Sequence, residues 1–434
     1  MTFDDILPTL RGIFTEHGDH LAALGVILVN RDLFGRVRLI VKEQSKMNAE
    51  VRRALDAVTT AIEHRLGPYA YPAKEAVLYE SDIGPFLELN RTFELLPNVR
   101  IVERLATDAD WSWIEDERAT APPRIVYYSI KGGVGRSTAL AVTAWSLAQR
   151  GERVMVVDLD LESPGLSSSL IPSDRRPRFG VTDWLVEDLV GNGDAVVEEM
   201  TSLSELSHDG EIQVVPAHGG DPGEYIAKLG RAWMPTVDEK GVRRPWSQRL
   251  NHLIGKLEQQ RQPTVVLLDA RAGIDEAASA CLTDLGANAI LSFAVDSDQT
   301  WSGYEILFRH WLRTGAYARI RERLQVVAAL VPEVDTERYL MHMRERSWDL
   351  FTSTLYDQVS EQSVAMPSSS AWTFDAGDDT APHFPWRVRW NRGFAALQSL
   401  YGRLSDIDEQ LAYALFGPLI EGVAAVVIEH RQAT

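Results

Sequence analysis

The run Ile130-Lys-Gly-Gly-Val-Gly-Arg-Ser-Thr138 restricts this chain more than any other feature. It follows the apolar segment Arg124–Ser129 directly and opens a helical pattern over 137–150, which Gly151 stops. Gly132, Gly133 and Gly135 permit tight backbone turns that aim successive N–H groups inward, and the start of a helix adds its positive dipole end. A strand, such a turn and a helix in that order make a cradle for a polyphosphate. Ser137 then has its hydroxyl where Mg²⁺ would be ligated, and Arg136 brings a positive charge to the place where lysine is usual.

Around this loop, short apolar runs alternate with helical patterns. Strands are predicted at 124–129, 153–158, 212–216, 264–269, 289–295 and 324–331, with a further helix over 246–260. Apolar runs of this kind belong to strands buried on both faces, so the pattern predicts an α/β fold with a doubly wound, mostly parallel sheet. Upstream the pattern differs. A helix over 6–14, a hairpin from 25–30 and 35–41, a helix over 48–65 and strands at 76–79 and 99–102 predict a small α+β domain, residues 1–115, without a catalytic motif. Arg36, Arg38 and Lys42 on its second strand read as a solvated sheet face. The polar, Pro-paired stretch 116–123 reads as a linker, leaving 124–434 as a second domain with a C-terminal helical extension.

Composition narrows the function classes. The 44 Lys+Arg and 62 Asp+Glu give 44 − 62 = −18, which argues against a chain that coats nucleic acid or anionic membrane. A single cysteine, Cys281, makes no intrachain disulfide and supplies too few soft ligands for a structural zinc or iron–sulfur site, so a cytoplasmic, reducing setting is expected. The start of the chain is acidic, unlike a signal peptide. The apolar stretch 411–428 is interrupted by Gly417, Pro418, Glu421 and Gly422, and no transmembrane segment is expected. Residues 406–431 read as a core-covering or partner-binding helix. The one low-complexity tract is the short serine run 368–370.

The loop Lys131-Gly-Gly-Val-Gly-Arg-Ser-Thr138 resembles the deviant Walker A signature xKGGxGK[ST]T of the ParA/MinD group of P-loop ATPases. The strand Val154-Met-Val-Val-Asp-Leu-Asp160 followed by Leu-Glu-Ser-Pro-Gly165 is similar to the family's switch I, and Val265-Val-Leu-Leu-Asp-Ala-Arg-Ala-Gly-Ile274 to its Walker B strand and switch II. The resemblance spans about 124–331. It implies ATP and Mg²⁺ as cofactors and a homodimer formed around the nucleotide. Gly132, Gly133, Val134, Gly135, Arg136, Ser137 and Thr138 would hold phosphates, while Lys131 would reach the partner subunit's phosphates. Asp160 would orient the attacking water, and Asp158 would lie near the metal's water shell. Asp269 would hold a metal-bound water, and Gly273 would offer its amide to the terminal phosphate. A subgroup whose loop reads KGGVGR is more similar still, through Val215-Pro-Ala-His218, the stretch 225–233, and Asp298-Gln299 followed by Gly303. The sixth strand lacks the asparagine many relatives place near the base, so adenine specificity comes from the resemblance.

The expected function is therefore an ATP-binding, slowly hydrolysing switch that signals nucleotide state, with a protein partner reached through the N-terminal domain. Arg136 opens an alternative. A guanidinium is planar, forked and permanently charged, and one that cripples hydrolysis would make the chain a nucleotide-locked scaffold of a multi-gene system such as anti-phage defence. A DNA-partition-type ATPase is the third reading, with candidate contacts at Arg309, His310, Arg313, Arg319, Arg321 and Arg323 and in Trp386-Arg-Val-Arg-Trp-Asn-Arg392, which also reads as an edge strand. Electron-transfer and zinc-dimer targeting ATPases need more cysteines than Cys281, and the tail lacks the tyrosine cluster of a related kinase.

Overall fold

The computed structural model describes every residue except 22–23, 89–91, 106–109, 239–240, 359–370, 392–401, 403, 405–407 and 434. The serine run 368–370, Arg392 and the first positions of the 406–431 reading lie outside the described residues. The chain forms two compact units, Met1–Trp113 with Arg313–Ala316, and Ile114–Leu312 with Tyr317–Thr434.

In the first unit, β1 (Ile27–Arg31) and β2 (Val37–Lys42) form the antiparallel hairpin, whose turn is held by Asp32 Oδ1 accepting the Phe34 and Arg36 N–H groups at 2.9 Å each. With β3 (Val77–Glu80), β4 (Thr92–Leu96) and β5 (Val99–Glu103) they make a mixed sheet of order β3-β2-β1-β5-β4. The helix Ala49–Leu66, capped by Asn48, turns Val51, Leu55, Val58, Ile62 and Leu66 to the core, the spacing of one apolar helix face. Strand β4 had no sequence signal. Arg36 just before β2 and Arg38 on it are less solvated than expected, since both stack on Tyr71, at 4.5 Å and 3.7 Å.

The second unit is built on an eight-stranded sheet. Its strands are β6 (Arg124–Ser129), β7 (Arg153–Asp158), β8 (Ser202–Leu203), β9 (Glu211–Val215), β12 (Val265–Asp269), β13 (Ala289–Ala294), β14 (Leu324–Val331) and β15 (Trp386–Arg389). A separate ladder pairs β10 (Thr236–Val237) with β11 (Arg243–Arg244). The order β15-β14-β13-β6-β12-β7-β9-β8 is parallel throughout except for the edge strand β8. This is the α/β fold read from the apolar runs, with β6 central. Two short strands close the sheet's edges, β8, added by tertiary pairing, and β15, the edge strand read in the Trp386 segment, which buries Val388 and exposes Arg387 and Arg389.

Side chains of β6 alternate between two covered faces. On one, Ile125 and Tyr127 join a core with Leu140, Ala144 and Leu147 of the helix Arg136–Gln149 and with Leu419, Ile420 and Val423 of the helix Glu409–Ala433. On the other, Tyr128 meets Tyr304 of the helix Asp298–Thr314 edge to face at 6.1 Å. The C-terminal helix, expected over 406–431, runs from Glu409 to Ala433 through Gly417 and Pro418. By length and composition it could cross a membrane; 50% of its apolar stretch is buried inside the fold, where it covers the core. Residues 116–123 also differ from the linker expected. Asp116 pairs with Arg319 at 2.6 Å, Glu117 with Arg323 at 3.2 Å and Arg118 with Glu258 at 2.8 Å, so the stretch is fastened to the second unit.

Candidate functional site

The glycine loop turns at the carboxyl end of β6, where open parallel sheets place their ligand crevices. Gly133 and Gly135 have φ of +76° and +79°, values that side chains resist, and Gly135 caps the helix that begins at Arg136. Beside it packs Leu330, itself at φ +52°, a strained value for a bulky residue. Gly303 explains how the loop's first residue is seated: a Cβ there would lie 2.3 Å from Ile130 Cγ2, so only glycine lets this helix close on the loop. The resulting cavity, about 670 Å³, is walled by the loop, the start of the helix, Ser129, Asp160, Ser163, Arg271 and Ala272.

Arg136 is 7% exposed and directed at carboxylates. Its Nε donates to Asp269 Oδ1 at 2.7 Å, and its two Nη groups reach Asp160 Oδ2 and Ser129 Oγ at 3.4 Å each. Ser137 Oγ donates to Asp269 Oδ2 at 2.7 Å. Burial alone would depress the Arg136 guanidinium, but Asp269 and Asp160 hold it above its usual value. Burial raises the Asp269 carboxyl against the lowering by Arg136 and Ser137. These directions pull opposite ways on one contact. The pair is ionised, because arginine has no accessible neutral form and the distance is that of a charge-assisted bond.

The hydroxyl of Ser137 and the carboxylate of Asp269 are hard oxygen donors, as Mg²⁺ requires. Among the described residues no group of three or more His, Cys, Asp or Glu gathers to hold a metal, so phosphate and water oxygens would complete the shell.

Of the expected residues, Gly273 and Asp158 lie off the cavity wall. Gly273 does not offer its amide to the cavity; that N–H donates to the Ser129 carbonyl at 2.9 Å, and Arg271 and Ala272 form the wall instead. Asp158 is fully buried beneath the cavity and accepts the Asp160 and Gly165 N–H groups at 3.3 Å each, which shapes the loop after β7. Burial, then the charges of Asp269 and Asp160, push its carboxyl up to about 7. Asp160 lies on the cavity wall, as do Val134, Ser137 and Thr138, and Val134 also belongs to the buried core. Lys131 is exposed at the loop and outside the cavity wall. The sequence reading missed Arg271, whose only signal was a charged residue two places after a strand-end aspartate.

The proposed basic stripe is largely neutralised. Arg309 pairs with Glu305 at 2.7 Å, Arg319 with Asp116, Arg323 with Glu117, and Arg321 with Asp357 at 2.6 Å while stacking over Trp372.

The CobQ/CobB/MinD/ParA nucleotide binding domain matches residues 125–426. No curated protein matches the chain. Similar solved structures include pNOB8 ParA (16% identity, 72% of this chain and 99% of that one, TM-score 0.44). MinD of Aquifex aeolicus (15%, 70% and 97%, 0.40) is another, as is cobyrinic acid a,c-diamide synthase of Mycobacterium smegmatis (20%, 55% and 86%, 0.38). The family match covers most of the chain, which belongs to the CobQ/CobB/MinD/ParA nucleotide-binding family.

Proposed function

We propose that this member of the family is an ATP-binding, slowly hydrolysing switch, which pairs with a second copy around Mg²⁺ and ATP and passes its nucleotide state to a protein partner. The observation carrying this reading is the 670 Å³ cavity between the glycine loop and Asp160, whose wall residue Ser137 donates to the buried Asp269. Phosphoryl transfer asks a protein for positioning and charge neutralisation more than for covalent chemistry. In this reading the amides of residues 132–135 hold phosphates, Ser137 and, through water, Asp269 hold Mg²⁺, and Asp160 aligns the attacking water. The metal would neutralise charge on the phosphate oxygens. Lys131, exposed beside the loop, would serve the second copy's nucleotide. The first unit is the candidate partner-binding module.

Phosphate release by the purified full-length chain tests this. Asp160→Ala is expected to lower release on the order of 100-fold while ATP binding persists; equal rates in both proteins would remove Asp160 from the chemistry. A second reading, the nucleotide-locked scaffold, is favoured by one observation: Arg136 already engages Asp160 and Asp269. Bound nucleotide with no phosphate release from the wild-type chain would select it.

A further inference from the structure

We propose that Arg271 reads the terminal phosphate of the nucleotide in cis, and that its ion pair with Glu162 is the latch this phosphate opens. The inference rests on the nucleotide-binding reading and adds to it a residue and a means of telling a triphosphate from a diphosphate.

Two cationic side chains line the cavity among the described residues, Arg136 and Arg271. The charge of Arg136 is already spent on Asp269 and Asp160, which leaves Arg271 as the wall's cation for an incoming phosphate. Its anchoring suits it to pivot. Arg271 Nε is held by Asp275 Oδ2 at 3.1 Å, and Asp275 Oδ1 is itself fixed by accepting the Ala278 N–H at 2.8 Å. The outer end of the guanidinium, Nη1, pairs with Glu162 on the loop after β7, the loop that carries Asp160. One arginine thus ties the loop after β7 to the loop after β12.

That pair is the weaker hold. The Arg271 and Glu162 side chains are 31% and 40% exposed, so water screens their attraction. A phosphate inside the cavity offers the fork of the guanidinium two charged oxygens in a more sheltered setting, the geometry arginine binds best. Triphosphate binding therefore exchanges Glu162 for phosphate at Nη1 and frees the Asp160 loop from its neighbour. A diphosphate, lacking the terminal group, leaves the latch closed.

Calorimetric titration of the full-length protein with magnesium, using ADP and a non-hydrolysable ATP analogue, tests the latch in five chains: wild type, Arg271→Ala, Arg271→Lys, Glu162→Gln and the double variant Arg271→Ala with Glu162→Gln. Arg271→Ala should weaken the analogue on the order of tenfold relative to ADP, with ADP affinity held within about twofold. Arg271→Lys keeps the charge without the fork and should fall between. Glu162→Gln should tighten the analogue alone, because Arg271 no longer leaves a carboxylate, and it should have no effect once Arg271 is alanine. Equal losses for ADP and analogue in Arg271→Ala, or an unchanged ratio in all variants, would overturn the latch while leaving nucleotide binding in place. A wild-type protein that takes up neither ligand would remove the proposed function and the latch together.

Discussion

At position 136 a guanidinium meets Asp269, Asp160 and the Ser129 hydroxyl at once, contacts that come from three different strand ends. An ammonium is a point charge and could not span all three. Arg136→Lys is therefore expected to loosen Asp160 and raise phosphate release about tenfold, corresponding to about 1.4 kcal/mol of barrier. A rate that stays the same or falls would show that the arginine is not a brake. The loop glycines, Ser137 and the strand-end aspartates were legible in the residue order, because their spacing is local. The destination of the Gly273 amide and the strained φ of Leu330 were not, since both depend on a neighbour far away in the chain.

Among the elements, β6 is anchored by a buried ion pair at its first residue. Arg124, 1% exposed, gives Nε to Glu258 Oε1 at 2.7 Å and Nη2 to Oε2 at 3.0 Å, and its Nη1 reaches Asn251 Oδ1 at 2.7 Å and the Leu285 carbonyl at 2.8 Å. Removing the carboxylate strands a buried cation, so Glu258→Ala should cost about 3–5 kcal/mol in urea denaturation. A loss below about 1 kcal/mol would mean that the cation finds water instead. The sequence placed the six buried strands within a few residues because continuous apolar runs are strong local signals. It missed β4, β8, β10 and β11, short strands specified by pairing, and it read 406–431 as a helix. Through Gly417 and Pro418 that helix continues because burial against β15 and the helix Arg136–Gln149 outweighs the local propensity.

For the whole molecule, the net charge of −18 and the ion pairs across the arginine-rich stretch leave little free basic surface there for a nucleic acid. In the proposed dimer the exposed Lys131 of the phosphate loop would reach the second copy's nucleotide. Light scattering should report a doubled mass when the non-hydrolysable ATP analogue and magnesium are added, and Lys131→Ala should weaken that response. A mass unchanged by the analogue would take away the trans role of Lys131.

The order of residues by itself determined the class of fold, the phosphate loop and the three strand-end aspartates near it, because hydrophobic period and glycine spacing act over a few residues. Only the tertiary structure decided where the charges point. Ion pairs such as Arg136 with Asp269, Arg271 with Glu162 and Arg124 with Glu258 join residues more than 100 positions apart, and their energy exists only once the folded sheet has set them within bonding distance, the first and the third of them away from water.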